Sequence, residues 1–428
     1  MKRLRLAFDT LGCKLNAAET DTLIRRGRAR GHEVVPQAAE ADVYVINSCS
    51  VTEEADRKTR KLIRRFLRKN PQGRVAVVGC YAQLRPQEIA AIPGVAWVLG
   101  TKEKFRLYDV IEGGGAGVYH SPIREARTVE PAYSLGEERT RAYLKIQEGC
   151  DYVCAFCTIP RARGRSRSAD LRAIVEAARE IAARGIREIV ITGVNIGTYT
   201  GTEGETFLDL LKALDDVSGI QRYRISSIEP NLLTDAILAF TAASPRFMPH
   251  FHIPLQSGSD AILRAMRRKY DTALYADRIR AVHRHHPGAA VGVDVIVGFP
   301  GETEAHFQQT YDLLAALPIA YLHVFPYSAR PGTAAAKMPG QVPPAVKHAR
   351  VAALRRLSQQ KRTAFARQTI GTTHPVLIEH LGGGYAEGYS DHYVRIRFPA
   401  ARGKASRGDI VNVHVTDVRD GKAVGESI

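Results

Sequence analysis

Between residues 141 and 328 the chain repeats one arrangement six times, a short β-rich run followed by a helical pattern. The runs are AYLKIQEG (142–149), REIVITG (187–193), RYRISSIE (222–229), HFHIPLQS (250–257), AVGVDVIVG (290–298) and AYLHVFPYS (320–328). Such alternation demands parallel strands joined by right-handed crossovers. Six successive units predict a partial or complete barrel with its chemistry at the C-terminal strand ends. Polar residues gather at those ends: Asn195, Glu229, Gln256 and Tyr327.

The first hundred residues alternate in the same way. RLRLAFDTLG, ADVYVINSC, RVAVVGC and AWVLG read as strands, with helices near 19–30 and 53–69. Cys13, Cys49 and Cys80 each fall at or just beyond the C-terminal end of a strand. In an open α/β sheet that edge is the ligand crevice, so three thiols distant in sequence would share it. Residues 113–139 open with GGGAG, lack a clear period and read as a linker. A basic helical stretch runs from Pro344 to about Arg367, and the last sixty residues become short alternating strands between Gly-rich or charged turns. That last pattern predicts a small antiparallel barrel. The expected class is therefore α/β in three domains. An open parallel α/β domain spans 1–112, a linker 113–139, a partial (βα)6 barrel with a basic C-terminal helix 140–368, and a small β-barrel 369–428.

Charge points to a partner. Sixty-one Lys and Arg against forty-four Asp and Glu give +17 over 428 residues. Eight of the cations stand in RKTRKLIRRFLRK (57–69) and seven more in residues 341–370, neither stretch holding an acid. A basic face is the footprint of a polyanion, although a solvated helix face produces the same pattern. No apolar run approaches the length of a membrane span, and GVDVIVGFPG is interrupted by Asp294. The N-terminus lacks the apolar segment of a signal peptide, and a cytoplasmic protein is expected.

Half of the six cysteines lie in EGCDYVCAFCTIP, where Cys150, Cys154 and Cys157 are spaced C-x3-C-x2-C after the first strand of the six-fold repeat. In a reducing compartment such thiols bind metal or react. Structural zinc is normally closed by four ligands, and no fourth stands near; the nearest histidine is His120. A 4Fe–4S cube accepts the same thiolates, and three ligands leave one iron open.

This loop, with Phe156 just before its third cysteine, resembles the radical S-adenosylmethionine superfamily. The whole chain resembles that superfamily's methylthiotransferases, through LGCKLNAAET, INSCSVT, VVGCYAQ, CTIPRARGRSRS, HIPLQSGSD, DVIVGFPGET and FPYSARPGT in order. The resemblance implies that Cys150, Cys154 and Cys157 hold a 4Fe–4S cluster whose open iron chelates S-adenosylmethionine, cleaved on reduction to a 5′-deoxyadenosyl radical. It implies that Cys13, Cys49 and Cys80 hold a second 4Fe–4S cluster that carries or delivers sulfur. Phe156, Asn195, Ser227, Glu229 and Gln256 would line the cofactor, or serve as structural hydrogen-bonders at strand ends. Arg161, Arg163, Arg165 and Arg167 would hold phosphate or an anionic substrate group, or form a solvated loop, and Arg397 near the C-terminus is a further substrate-binding candidate. His252 reads as a core or cofactor-edge histidine, and the glycines of DVIVGFPGE as an approach to adenine or as a tight turn.

GCKLN with Glu19 and Thr20 is similar to the branch that converts N6-threonylcarbamoyladenosine at position 37 of tRNA to its 2-methylthio derivative. Two other branches act on isopentenyladenosine in tRNA and on a ribosomal-protein aspartate. The terminal barrel resembles a TRAM domain, an RNA-binding module. There Tyr385, Tyr389, Tyr393 and Phe398 supply aromatics, and Arg395, Arg397, Arg402, Lys404 and Arg407 supply charge. Partners would be tRNA, S-adenosylmethionine and an external electron donor. The rival from another class is a non-catalytic, zinc-stabilised RNA-binding protein.

Overall fold

The computed structural model describes residues 3–113, 115–135, 139–400, 405–419 and 421–428. Arg402 and Lys404 lie outside the described residues.

The N-terminal unit begins with β1 (Arg5–Thr10), α1 (Lys14–Ala29), β2 (Glu33–Val35), β3 (Val43–Ser48) and α2 (Glu53–Lys69). It continues through β4 (Arg74–Gly79), α3 (Cys80–Leu84), α4 (Pro86–Ala90), β5 (Val95–Leu99), α5 (Leu107–Glu112) and β6 (Gly117–Tyr119). All six strands are parallel, in the order β2-β1-β3-β4-β5-β6. The near-continuous apolar runs of β3 and β4 follow from helices covering both faces: β3 is buried at every position and β4 at all but Arg74. Residues 113–139 carry more structure than a bare linker. β6 completes this first sheet, and β7 (Ala132–Tyr133) pairs antiparallel with the first strand of the next unit.

That next unit runs through β8 (Arg141–Lys145), β9 (Gln147–Glu148), α6 (Ile159–Arg163), β10 (Arg167–Ser168), α7 (Leu171–Ala183), β11 (Glu188–Thr192) and α8 (Phe207–Asp215). There follow β12 (Arg222–Ile225), α9 (Asp235–Ala243), β13 (His250–His252), α10 (Asp260–Ala265) and α11 (Thr272–His285). β14 (Ala290–Val297), α12 (Glu304–Ala316), β15 (Tyr321–Pro326) and α13 (Pro344–Arg367) complete it. β8, β11 and β12 form one parallel ladder and β13, β14 and β15 another. Parallel bridges at Tyr223–Phe247 and Ser227–His252 join the two ladders into one six-stranded arc. The arc stays open: β7 covers the free edge of β8, and α13 lies against β15. One continuous core of Ile, Leu, Val and Phe fills the space between strands and helices.

The chain ends in a closed barrel of β16 (Thr373–Gly382), β17 (Tyr385–Ser390), β18 (Arg395–Pro399), β19 (Ile410–Arg419) and β20 (Lys422–Ser427). It docks on the N-terminal strand ends of the arc. Arg222 and Arg224 donate to the carbonyls of Pro375, Ser390 and Asp391, and Arg141 pairs with Glu379. Tyr393 stacks on His250 with ring centroids 4.2 Å apart and so stoppers the lower end of the arc.

Candidate active site

The cysteine loop leaves β9 through Gly149, at φ +76°, where a Cβ would lie 1.9 Å from the Arg165 carbonyl oxygen. Only glycine lets the chain turn back here beneath the segment that follows α6. The loop is then pinned on both sides, Ala155 N–H donating to Met266 O and Ala335 N–H to Ala155 O. Each sulfur receives one N–H. Tyr152 N donates to Cys150 Sγ at 3.4 Å, Ile159 N to Cys157 Sγ at 3.4 Å, and Arg268 Nη1 to Cys154 Sγ at 3.2 Å. Burial pushes the Cys157 thiol up to about 12 and raises Cys150 as well. Half-buried thiols with N–H donors aimed at them suit thiolates that a metal has neutralised. The donor set therefore fits a 4Fe–4S cluster.

Around the loop, Phe156 meets Phe299 edge-on at 6.4 Å. Asn195 is buried with its side chain close to Cys150 and its Oδ1 lacking a partner, and the Tyr327 hydroxyl is likewise unpaired. Buried unpaired polar atoms beside a cysteine loop fit a polar ligand such as S-adenosylmethionine. Glu229 pairs with Arg268, whose Nε donates to Tyr270 Oη at 3.1 Å. Ser227 bridges to His252 in the parallel ladder. Gln256 adopts φ +67° while its backbone pairs with Asp294 O and Ile296 N. Gly298 and Gly301 also have positive φ, so the turn itself requires them.

Deeper in the lumen, Asp294 Oδ1 lies 2.9 Å from His252 Nε2 and 3.3 Å from His323 Nδ1. Burial works against its charge, but these two hydrogen bonds hold the carboxyl well below the usual carboxylate range. Lys14, the residue after Cys13, is exposed. Its ammonium is lowered first by desolvation and then by Arg141, with Tyr393 and Asp294 opposing.

The N-terminal trio converges as the strand-end pattern predicts. Cys13 caps α1, Cys49 follows β3, and Cys80 opens α3 after β4. A Cβ on Gly12 would lie 2.7 Å from Cys49 Cβ, so the turn after β1 rests directly on that cysteine. Burial, with Cys80 next, pushes the Cys49 thiol up to about 12. Here too the donor chemistry fits a cluster held by three thiolates.

The four arginines after the loop part company. Arg161 is exposed and donates to Pro331 O, Arg165 is exposed, and half-buried Arg167 donates to the carbonyls of Arg163 and Arg165. Arg163 is 1% exposed and points away from solvent into the N-terminal unit. Arg397 is not brought to this site; it stands on β18, 4.3 Å over the Tyr385 ring. The loop's arginine partner is instead Arg268, which AMRRKY gives little reason to single out. Lys145 and Glu148, which pair with each other near this loop, had a readable signal as a cation and an acid three residues apart just before the cysteines.

The two basic stretches also differ. α2 buries Thr59, Ile63 and Phe66 and exposes Lys61, Arg64 and Arg68. In α13, Arg350 is buried on Glu302, Lys361 donates to the carbonyls of Ala315 and Leu317, and Lys347 donates to Tyr327 O. These three cations are structural, while Arg355, Arg356, Arg362 and Arg367 are exposed. Among the barrel aromatics, Phe398 is core, and Tyr389 and Tyr393 stack on each other at 4.5 Å; Tyr385 is 44% exposed.

Comparisons with known proteins agree with this architecture. Residues 144–314 match the radical SAM superfamily, and residues 5–100 match the uncharacterized protein family UPF0004. The chain is 41% identical to the threonylcarbamoyladenosine tRNA methylthiotransferase MtaB of Bacillus subtilis, over 96% of this chain and 93% of that protein. It is 34% identical to a tRNA-2-methylthio-N(6)-dimethylallyladenosine synthase of Cereibacter sphaeroides, over 99% of this chain and 98% of that one. Among solved structures, the radical S-adenosylmethionine methyltransferase TsrM from Kitasatospora setae superposes with TM-score 0.56 at 16% identity. That likeness covers 76% of this chain and 73% of TsrM and speaks to fold alone.

Proposed function

Since the chain belongs to the radical S-adenosylmethionine methylthiotransferases, we propose that it converts N6-threonylcarbamoyladenosine at position 37 of tRNA to its 2-methylthio derivative. It is a transferase of sulfur-containing groups, using S-adenosylmethionine and a 4Fe–4S cluster. The observation that carries the substrate reading is full-length identity of 41% to an enzyme named for threonylcarbamoyladenosine, against 34% to one named for dimethylallyladenosine. A second 4Fe–4S cluster on Cys13, Cys49 and Cys80, an external electron donor, a cytoplasmic location and the four-part division of the chain complete the proposal. Among the described residues no helix is long and apolar enough to cross a membrane.

Bound at Cys150, Cys154 and Cys157, the cluster with S-adenosylmethionine supplies radical chemistry. The chain's own residues prepare the site. Arg268 and the amides of Tyr152 and Ile159 offer N–H groups to the three sulfurs, and Asn195 and Glu229 present polar groups at the same strand ends. Tyr393, stacked on His250, covers the lower end of the arc.

The test is nucleoside mass spectrometry of tRNA from a deletion strain complemented with variants. Cys154→Ala should abolish both 5′-deoxyadenosine formation and thiomethylation. Cys49→Ala should abolish thiomethylation and leave some cofactor cleavage. Full product from Cys49→Ala would refute the sulfur-delivery role. A colourless zinc protein on anaerobic purification would favour the non-catalytic rival.

A further inference from the structure

Arg163 leaves the radical loop's own helix and crosses to the other cysteine trio. Its Nε donates to Cys80 Sγ at 3.3 Å, and its Nη2 to Asn16 Oδ1 at 2.6 Å. The same Oδ1 lies 3.7 Å from Cys13 Sγ. Nη1 pairs with Glu19 at 3.0 Å and with Glu148 at 2.7 Å. Lys104 and Lys145 each bridge the same two carboxylates. The five side chains come from α1, the turn before α5, β8, β9 and α6, and none is more than 5% exposed.

Three cations against two carboxylates leave this buried set one positive charge in excess. Isolated, such an excess would be costly, because burying an uncompensated charge takes several kcal/mol. What it faces is three cysteine sulfurs. A 4Fe–4S cube on three thiolates is an anion in either oxidation state and becomes more negative on reduction. A fixed cation donating to one ligand sulfur stabilises the reduced form more than the oxidised one, through hydrogen bonding and charge at the sulfur.

We propose that Arg163, balanced by Glu19, Glu148, Lys104 and Lys145, is the positioning residue that sets the charge environment and reduction potential of the cluster on Cys13, Cys49 and Cys80. It is not a contact for substrate phosphate. The proposal rests on the two-cluster reading above and goes beyond it by assigning the group that tunes the second cluster. It also makes the loop of one trio a structural determinant of the other, since Arg163 stands six residues after Cys157.

The experiment uses full-length protein carrying Cys150→Ala, Cys154→Ala and Cys157→Ala, so that only the N-terminal trio can load iron and sulfide. A dithionite titration followed by electron paramagnetic resonance reads the potential. Arg163→Gln should move it to more negative values, and Arg163→Lys should restore most of the shift. Glu148→Gln, which adds to the positive excess, should move it the opposite way. Opposite signs separate charge from packing, because a merely structural loosening has no reason to reverse. If Arg163→Gln fails to load a cluster, the sign from Glu148→Gln decides. An unchanged potential, or shifts of one sign in both variants, would overturn the proposal. If the parent protein itself binds no iron–sulfur cluster, it is the two-cluster reading that falls.

Discussion

Lys14 is the residue where the substrate choice can be read as chemistry. It follows Cys13 at the start of α1 and makes no hydrogen bond or ion pair among the described residues, while Asp294 and Arg141 act on it through space. Its side chain is exposed at the mouth of the crevice, and its ammonium is lowered, first by desolvation. A cation with no protein partner is free to pair with an anionic ligand, and the threonylcarbamoyl group carries a carboxylate that the isopentenyl group lacks. Lys14→Gln should weaken binding of a threonylcarbamoylated anticodon stem-loop by about tenfold or more, the worth of one charge-assisted hydrogen bond of about 1.5–3 kcal/mol. Binding of the same stem-loop with unmodified adenosine should change little. Equal weakening for both, measured by anaerobic fluorescence anisotropy, would return Lys14 to a general role in holding tRNA or fold. GCKLN put a cation beside the first cysteine in the sequence itself. Its electrostatic link to Asp294 was not legible there, because α1 and β14 lie far apart in the chain and only the folded protein brings them within reach.

Among the elements, α2 and α13 show how far a charge pattern can be trusted. Both read as basic runs, acid-free over residues 57–69 and 341–370. α2 keeps Lys61, Arg64 and Arg68 exposed, while Arg60 is held by the Tyr81 hydroxyl at 2.6 Å and Glu88 at 3.1 Å. In α13, Lys347, Arg350 and Lys361 instead reach carbonyls and carboxylates of their own domain, while Arg355, Arg356 and Arg367 stay exposed. Spacing on one helix cannot distinguish these outcomes, since the deciding partners come from elements far along the chain. The strand-end cysteines were legible for the opposite reason: parallel topology fixes which strand ends share an edge. Replacing Lys61, Arg64 and Arg68 by Gln should therefore weaken tRNA binding, with the slope of log K against log salt falling by about 0.7–0.9 for each phosphate no longer neutralised. The equivalent change at Lys347, Arg350 and Lys361 should lower thermal stability before it alters the slope. An unchanged slope in the α2 variant would make its exposed face a solvated one.

Across the whole molecule, the terminal barrel is both an RNA-binding candidate and the floor of the arc. Its removal would strip Arg222 and Arg224 of four carbonyl partners and expose His250, so truncation tests two things together. Acid gives a cleaner probe of the floor. His250 is buried, lies 2.8 Å from the Tyr321 hydroxyl and stacks on Tyr393. Burial first, then Arg224, His252, Lys14 and Arg141, hold its imidazole neutral well below the ordinary histidine range. In the unfolded chain this imidazole takes up a proton at about pH 6.5. The unfolded state then binds more protons than the native one, and stability falls as pH drops below that value by up to about 1.4 kcal/mol per pH unit for this group. Glu188 adds a second loss at lower pH. It is buried, and although burial opposes its charge, Arg224, Arg141 and Arg222 lower its pKa. Its contribution is present above the unfolded carboxylate pKa of about 4.3 and is lost as pH falls through the lower native value. His250→Phe should lower the melting temperature at neutral pH, because the bond to Tyr321 is gone. It should also flatten the decline between about pH 6.5 and pH 5, where only histidine titration separates it from the parent. Parallel melting curves for parent and variant across that window would show that His250 takes a proton as readily in the native floor as in the unfolded chain.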